Sequence, residues 1–164
     1  MSLKNMTVGA VMALMVAASG AIVGAQQAPL KEGDLANIKS LKCSFPVSAR
    51  VAWKDGVPTP TVRTTALLTI DINEIDAADG TAIVGSVGTG NHDVNVQVYG
   101  WNMHFLEASR GGRLGVTTVF AQYSNGEKLK AVHSRTDYLP IDLGTTFKSE
   151  PEVAQYWGEC EAKR

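Results

Sequence analysis

The residues of this 164-residue chain best suited to chemistry are His133 and Arg135. Residues two positions apart in a β-strand share a face, and a predicted hairpin at Asn125-Gly126 places Phe120 on that face too. Burying an unpaired charge is costly, so this pair needs a partner. We expect His133 and Arg135 to hold the acidic head group of a ligand. The alternatives are an internal ion pair, for example between Arg135 and Glu107, and simple exposure at a rim.

An apolar wall for such a ligand is predicted from two neighbouring runs of alternating residues. The first run places three valines on one face of a strand, and the second places an aromatic, a methionine and another aromatic on one face of the next. The six residues are Val94, Val96, Val98, Trp101, Met103 and Phe105. The apolar set changes from even to odd positions at Gly100, which predicts a bulge or bend there.

The sequence has no recognised pattern for catalysis or for metal binding. His92, His104 and His133 lack the short spacings of zinc motifs. Ser134 follows His133 directly, and neighbours in a strand point to opposite faces, so this histidine is badly placed to activate it. We therefore expect no enzyme, no metal and no cofactor. The one alternative with suitable geometry is a metal held by His104 and His133 on adjacent strands.

The beginning of the chain has the layout of a secretory signal peptide. Lys4 precedes an almost uncharged run from Val8 to Val23, and small residues occupy positions suited to cleavage after Ala25. We predict a secreted or periplasmic protein that has no stable membrane insertion after cleavage. A retained membrane anchor is the alternative, because the apolar run approaches the length that spans a bilayer.

Cleavage would leave 139 of the 164 residues, which is enough for one ordinary domain with one core. We divide the chain into a signal peptide (1–25), a leader (26–39) and a single β domain (40–164). The precursor has a formal charge of −1, and losing Lys4 makes it −2. A chain without net positive charge is a poor match for nucleic acid or anionic membranes. A small apolar or amphipathic ligand is the expected partner, and the sequence identifies no protein partner.

The chain has two cysteines, Cys43 and Cys160, near the two ends of the mature sequence. Export would deliver them to an oxidising compartment, so we predict that they form a disulfide. Closing so long a loop is worth about 4 to 5 kcal/mol in the chain-entropy description. The bond also requires the first and last strands to be neighbours, which favours a closed sheet.

Period-two alternation dominates the chain from Ser40 onward and predicts an all-β domain. We expect a small antiparallel up-and-down β-barrel of the calycin type, and a β-sandwich is the alternative. A two-residue turn at Asn125-Gly126 would pair Thr118 with His133. The predicted strands cover residues 40–45, 48–54, 61–75, 81–87, 93–99, 101–108, 113–123, 127–138 and 154–160.

Trp53 near the first strands and Arg135 near the last resemble the lipocalin arrangement, in which an early Trp packs beneath a late Arg. The Gly-x-Trp motif of lipocalins is replaced here by Arg50-Val51-Ala52-Trp53. The resemblance implies a barrel, but it does not establish a function. A second function is therefore considered, a protein-interaction or structural module with a filled barrel that uses a loop such as Gly85–Asn91.

Overall fold

The computed structural model describes residues 30–31, 34–65, 67–86, 90–109, 112–124, 126–138 and 150–163. The predicted signal peptide and the first part of the leader lie outside these residues. Within them, a 3₁₀ turn at Asp34–Asn37 precedes nine strands. The strands are β1 (Leu41–Lys54), β2 (Val57–Arg63), β3 (Leu68–Asp76), β4 (Thr81–Ser86), β5 (Gly90–Tyr99), β6 (Asn102–Ala108), β7 (Leu114–Tyr123), β8 (Leu129–Asp137) and β9 (Glu152–Ala162). In the described part of the chain, no helix is long and apolar enough to cross a lipid bilayer.

The strands form one antiparallel sheet that closes on itself. Their order is β2-β1-β3-β4-β5-β6-β7-β8-β9, and β9 pairs back onto β1. Eight strands therefore make a closed barrel with consecutive neighbours, and β2 is one extra strand. The predicted up-and-down barrel is confirmed, and the β-sandwich alternative is wrong.

Two predictions about how the first strands are divided are wrong, one in β1 and one in the strands that pair with it. The predicted strands 40–45 and 48–54 are one strand with a register shift between Ser44 and Val47. The predicted strand 61–75 is divided into β2 and β3. The first part of β1 pairs with β3, whereas the rest pairs with β2. We call the hairpin of residues 48–63 the arm.

The two strands of the arm are joined by a tight two-residue turn. Lys54 pairs with Val57, so only Asp55 and Gly56 connect the two strands. Both have positive φ, 51° and 78°, as a type I′ turn requires. This turn has the same right-handed twist as its flanking strands.

The predicted disulfide joins the first and last barrel strands. Cys43 and Cys160 are direct cross-strand partners, with their Cα atoms 4.0 Å apart, and both are fully buried. Beside them, β9 passes closely under the bulge of β1 at Gly158. A Cβ atom at that position would overlap the carbonyl oxygen of Ser44, so this crossing requires glycine.

Apolar side chains fill the barrel interior and close one end of it. Leu35 in the 3₁₀ turn is fully buried in the same core as Leu41 at the start of β1. Burying a leucine in this way contributes about 1.5 to 3 kcal/mol. We call this the closed end, and we call the opposite end, next to the arm, the mouth. The other buried apolar residues are Cys43, Phe45, Ile70, Ile72, Ile75, Ala82, Val84, Val94, Val96, Met103, Phe105, Val119, Leu129, Ala131, Ala154 and Cys160.

The predicted register of the β7–β8 hairpin is wrong by one residue. His133 pairs with Thr117 rather than Thr118, and a register shift separates Val119 from Tyr123. The Ser124 amide donates to the Lys128 carbonyl, so the loop is longer than two residues. A shift of one residue moves every side chain to the other face of the sheet. Asn125 itself lies outside the described residues.

The apolar residues switch from even to odd positions at Gly100 because of a hairpin turn, and not because of the predicted bulge within a strand. Tyr99 pairs with Asn102, so Gly100 and Trp101 form a hairpin turn between β5 and β6. Gly100 has a φ of 53°, a conformation that costs glycine little. The turn reverses the chain, which is why apolar residues at even positions on β5 lie beside apolar residues at odd positions on β6.

Candidate functional site

A cavity of about 390 Å³ lies at the mouth, between the arm and the barrel wall. Its size is within the range of small-ligand sites, which is about 300 to 1,000 Å³. Strands β1, β2, β3 and β9 and the segment between β2 and β3 line it. The lining residues are Ser48, Arg50, Thr61, Arg63, Thr65, Leu67, Leu68, Ala154 and Tyr156.

Strand alternation places these side chains on one face of the arm. Ser48 lies opposite Arg63 and Arg50 lies opposite Thr61 across the β1–β2 pair. On the other side of β1, Tyr156 lies opposite Ser48. Directly paired residues project to the same side of a sheet. Three neighbouring strands therefore place hydroxyl groups, guanidinium groups and a phenol around one cavity.

A chain of ion pairs borders the cavity. Glu152 accepts from Arg50 Nε at 3.2 Å and from an Arg135 terminal nitrogen at 3.4 Å. Asp137 lies 3.1 Å from Arg135 Nε and 3.2 Å from Arg113 Nε. Arg135 Nε lacks hydrogen-bond alignment in this arrangement, so its attraction to Asp137 is mainly charge on charge. Three guanidinium groups thus share two carboxylates, which leaves an excess of positive charge.

Arg63 adds a second uncompensated cation. It lines the cavity, and within the described part of the chain it has no ion-pair or hydrogen-bond partner. Arginine presents five donors in a planar fork that matches a carboxylate or a phosphate. Arg50 and Arg63 therefore give this cavity the character of an anion site.

His133 lies just inside the mouth and is 5% exposed. Its Nδ1 is 2.9 Å from the hydroxyl oxygen of Thr117. The centroid of the His133 ring lies 5.8 Å from that of the Tyr156 ring. The guanidinium of Arg135 lies 5.9 Å from the centroid of the same Tyr156 ring. His133 and Arg135 therefore support Tyr156, which in turn forms part of the cavity wall.

Burial, together with the nearby positive charges of Arg135 and Arg113, lowers the pKa of His133 to about 4. Its imidazole is therefore neutral at pH 7. A base with so low a pKa is a weak proton acceptor. The hydroxyl of Thr117 beside it is consequently not activated to the degree that nucleophilic catalysis needs.

The predicted ligand wall lies mostly within the packed core. Val94, Val96, Met103 and Phe105 are buried there, and Val98 packs against them. The other two predicted contacts lie elsewhere. Trp101 is 52% exposed in the β5–β6 turn. Phe120 lies on the opposite side of the sheet from His133 because of the shifted hairpin register, so their predicted common face is wrong.

Arg135 does form ion pairs, as the alternative interpretation predicts, but Glu107, the partner suggested as an example, is wrong. Glu107 Oε1 lies 3.1 Å from His92 Nε2, on the inner side of the barrel. Arg135 instead pairs with Asp137 and Glu152, as described above. The acidic partners of Arg135 therefore come from its own strand and from the neighbouring strand β9.

The alternative metal site is not formed. A ring nitrogen of His104 lies 3.0 Å from the Thr118 hydroxyl, and these two residues are cross-strand partners on the outer side of the sheet. His133 faces the inner side. Across the residues that the structure describes, no three His, Cys, Asp or Glu side chains form a group that could hold a metal ion.

The lipocalin-like arrangement of Trp53 and Arg135 is also wrong. Trp53 is 44% exposed on the outer side of the arm, whereas Arg135 lies over Tyr156. The loop considered for protein binding, Gly85–Asn91, lies partly outside the described residues.

Arg50, Arg63 and Tyr156 are cavity residues that the sequence analysis missed. A usable signal was present in the polar alternation of Ser48 and Arg50 before Asp55-Gly56, which Thr61 and Arg63 mirror after it. Pairing the residues across that two-residue turn places all four polar side chains on one face of the hairpin.

Comparison with protein-family models and with curated proteins finds no match to this chain. The functional conclusion therefore depends on the geometry and charge of the mouth.

Proposed function

We propose that this domain is an exported, non-enzymatic binding protein that holds a small organic anion in the cavity at its mouth. The observation that carries the proposal is the presence of Arg50 and Arg63 in a cavity of about 390 Å³ whose described lining residues include no carboxylate. A carboxylate or phosphate group would pair with Arg63. The hydroxyl groups of Ser48 and Thr61 offer further hydrogen bonds.

The ligand is proposed to be partly apolar, because one side of the cavity is apolar. Leu67, Leu68 and Ala154 lie there, together with the ring of Tyr156. Leu67 is 95% exposed, so a ligand at this position would cover apolar surface that otherwise contacts water. The core side chains already occupy the barrel interior, and this favours the mouth over the lumen as the binding position.

Export is part of the proposal. The disulfide between Cys43 and Cys160 is consistent with folding in an oxidising compartment, such as the periplasm or the extracellular space. The signal-peptide layout of the first 25 residues supports the same location.

Isothermal titration calorimetry with the exported protein tests the proposal. The probes are benzoate, hexanoate and phenyl phosphate, with benzamide as the uncharged comparison. We expect the anions to bind and benzamide to bind at least about tenfold more weakly, because a charge-assisted hydrogen bond is worth roughly 1.5 to 3 kcal/mol.

The Arg63→Gln variant should lose about tenfold or more in affinity for the anions, for the same reason. Lys54→Gln is the matched control, since it removes a cation from the same arm at a position that does not line the cavity. Equal affinity of wild type and Arg63→Gln, or tighter binding of benzamide than benzoate, would contradict the proposal. If the anions bind as expected, native mass spectrometry of the exported protein identifies the natural ligand by its mass.

A further inference from the structure

The two arginines that line the cavity differ in their surroundings. Arg50 Nε lies 3.2 Å from Oε1 of Glu152, so this guanidinium already has a carboxylate partner. Arg63 has no carboxylate partner among the residues that the structure describes. Within that part of the chain, Arg63 is therefore the cavity cation that can pair fully with a ligand.

Glu152 is fixed beside Arg50 by the strands on both sides of it. It lies opposite Ala52 of β1 and opposite Asp137 of β8. Directly paired residues project to the same side of a sheet. Arg135 donates from a terminal nitrogen to the same Oε1 at 3.4 Å, and the Glu152 side chain is 21% exposed. Two guanidinium groups thus hold this carboxylate at the edge of the cavity.

Glu152 is not among the residues that line the cavity, so it influences a ligand through Arg50 and through its own charge. The nitrogen of Arg50 that faces Glu152 is Nε, which leaves the two terminal nitrogens for a ligand. An anionic group bound there would lie across one guanidinium from the Glu152 carboxylate. Like charges within about 4 to 6 Å of each other disfavour the charged forms. The carboxylate therefore weakens Arg50 as an anion site.

The rest of the cavity does not replace this second cation. Apart from Arg50 and Arg63, the described lining residues carry hydroxyl groups or apolar side chains and no charge. A hydroxyl group can donate to an anion but does not neutralise it. One negative group on a ligand can be satisfied by Arg63, whereas a second charge would lose water with little compensation, which is costly.

We infer that Glu152 makes the cavity selective for ligands with a single negative charge, such as monocarboxylates and sulfate monoesters. Doubly charged ligands of the same shape, such as phosphate monoesters, are then disfavoured. This inference rests on the proposed function, because it concerns the selectivity of the same cavity. Glu152 is a positioning residue in it, since it holds Arg50 and does not touch the ligand.

Isothermal titration calorimetry at pH 8 with phenyl sulfate and phenyl phosphate tests the inference. The two probes have nearly the same shape. The sulfate monoester carries one negative charge, whereas the phosphate monoester carries two above its second pKa of about 6. We expect the wild type to bind phenyl sulfate at least as tightly as phenyl phosphate. A cavity with two free arginines would instead favour the doubly charged probe.

Glu152→Gln should shift the affinity ratio toward phenyl phosphate by about tenfold or more, because Arg50 becomes free to form a charge-assisted bond with the second charge. Combining Glu152→Gln with Arg50→Gln should abolish this shift, since the effect passes through Arg50. Glu159→Gln is the matched control. It removes a carboxylate from the same strand, where Glu159 pairs with Lys128 and does not line the cavity, and it should keep the wild-type ratio.

Circular dichroism confirms the fold of each variant, and the comparison of the two probes on the wild type needs no variant. Tighter binding of phenyl phosphate than of phenyl sulfate by the wild type overturns the inference, and the proposed function then still stands. An affinity ratio that is equal in the wild type and Glu152→Gln, or that Glu159→Gln shifts as much, overturns it too. Binding of neither probe refutes the proposed function and this inference with it.

Discussion

The two ends of this barrel place their apolar and charged side chains in opposite ways. At the closed end, Leu35 is fully buried in the same apolar core as the Cys43–Cys160 bond. At the mouth, the inner face carries Arg50 and Arg63, and the apolar side chains face outward. The closed end has the features of a hydrophobic core that stabilises the fold. The mouth exposes apolar side chains to water and carries an arginine, Arg63, without a partner among the described residues. Neither feature is required for a stable fold.

Removing the disulfide should have the largest effect. The double variant Cys43→Ala/Cys160→Ala leaves no unpaired thiol and should lose about 4 to 5 kcal/mol of unfolding free energy, because the unfolded chain regains the freedom of a long loop. Urea denaturation at pH 7 measures the change. Anion binding by the folded fraction should be retained, because the bond is at the other end of the barrel. A loss below about 1 kcal/mol would show that the bond does not stabilise the closed end in this way.

Truncating Leu35 should have the next largest effect. Leu35→Ala should cost about 2 to 4 kcal/mol, because it creates a cavity in a fully buried position. The same substitution at Leu67, which is 95% exposed at the mouth, should change stability by less than about 0.5 kcal/mol. Thermal denaturation of both variants makes the comparison. Similar losses in the two would remove the proposed distinction between the ends.

His133 should make the mouth sensitive to acid. Its pKa is about 4 in the folded protein and near the ordinary value of 6.5 in the unfolded chain. Below pH 6.5 the unfolded chain binds a proton that the folded protein does not, so stability falls as the pH drops toward 4. Between pH 7 and pH 4.5 this loss should be about 2 kcal/mol. His133→Gln can still hydrogen-bond Thr117 but does not titrate. Between pH 7 and pH 4.5 its unfolding free energy should therefore fall by about 2 kcal/mol less than that of the wild type. An identical pH profile in both proteins would contradict the assigned pKa.

The smallest effect is expected at the rim of the mouth. Arg113 and Asp137 are both partly exposed, with the Nε–Oδ1 distance at 3.2 Å. Arg113→Gln should lower stability by about 0.5 kcal/mol or less, because water and salt screen such a pair. The difference from wild type should shrink further in 0.5 M salt. A loss comparable to that of Leu35→Ala would mean that the ion-pair chain, rather than the apolar core, stabilises the barrel.

The sequence predicts the barrel well because its main signals are local. Period-two alternation identifies the strands, and two cysteines near the ends of the predicted β domain indicate that the first and last strands meet. The arm is harder to predict, because alternation continues from Val62 through Thr64 without a turn residue, although the strand is interrupted there. The β7–β8 register depends on a loop length that the Asn-Gly pair does not determine.

The sequence analysis chose Arg135 as the ligand-holding cation, whereas the arginines that line the cavity are Arg50 and Arg63. His133 and Arg135 do lie at the mouth, yet Arg135 is neutralised by Asp137 and Glu152. Arg63 has no carboxylate partner among the residues that the structure describes, and its position depends on the splitting of β2 from β3. The sequence alone does not show which arginines lie beside a carboxylate in the folded chain.

Amide chemical-shift mapping by NMR, with benzoate added to the purified protein, tests directly whether the mouth binds small anions. We predict saturable shifts at Ser48, Arg50, Thr61, Arg63 and Tyr156, with residues of the closed end such as Leu35 and Cys160 unaffected. Shifts centred on the core valines Val94 and Val96, or no saturable shift with any of the anionic probes, would contradict the claim that the mouth is a binding site for small anions.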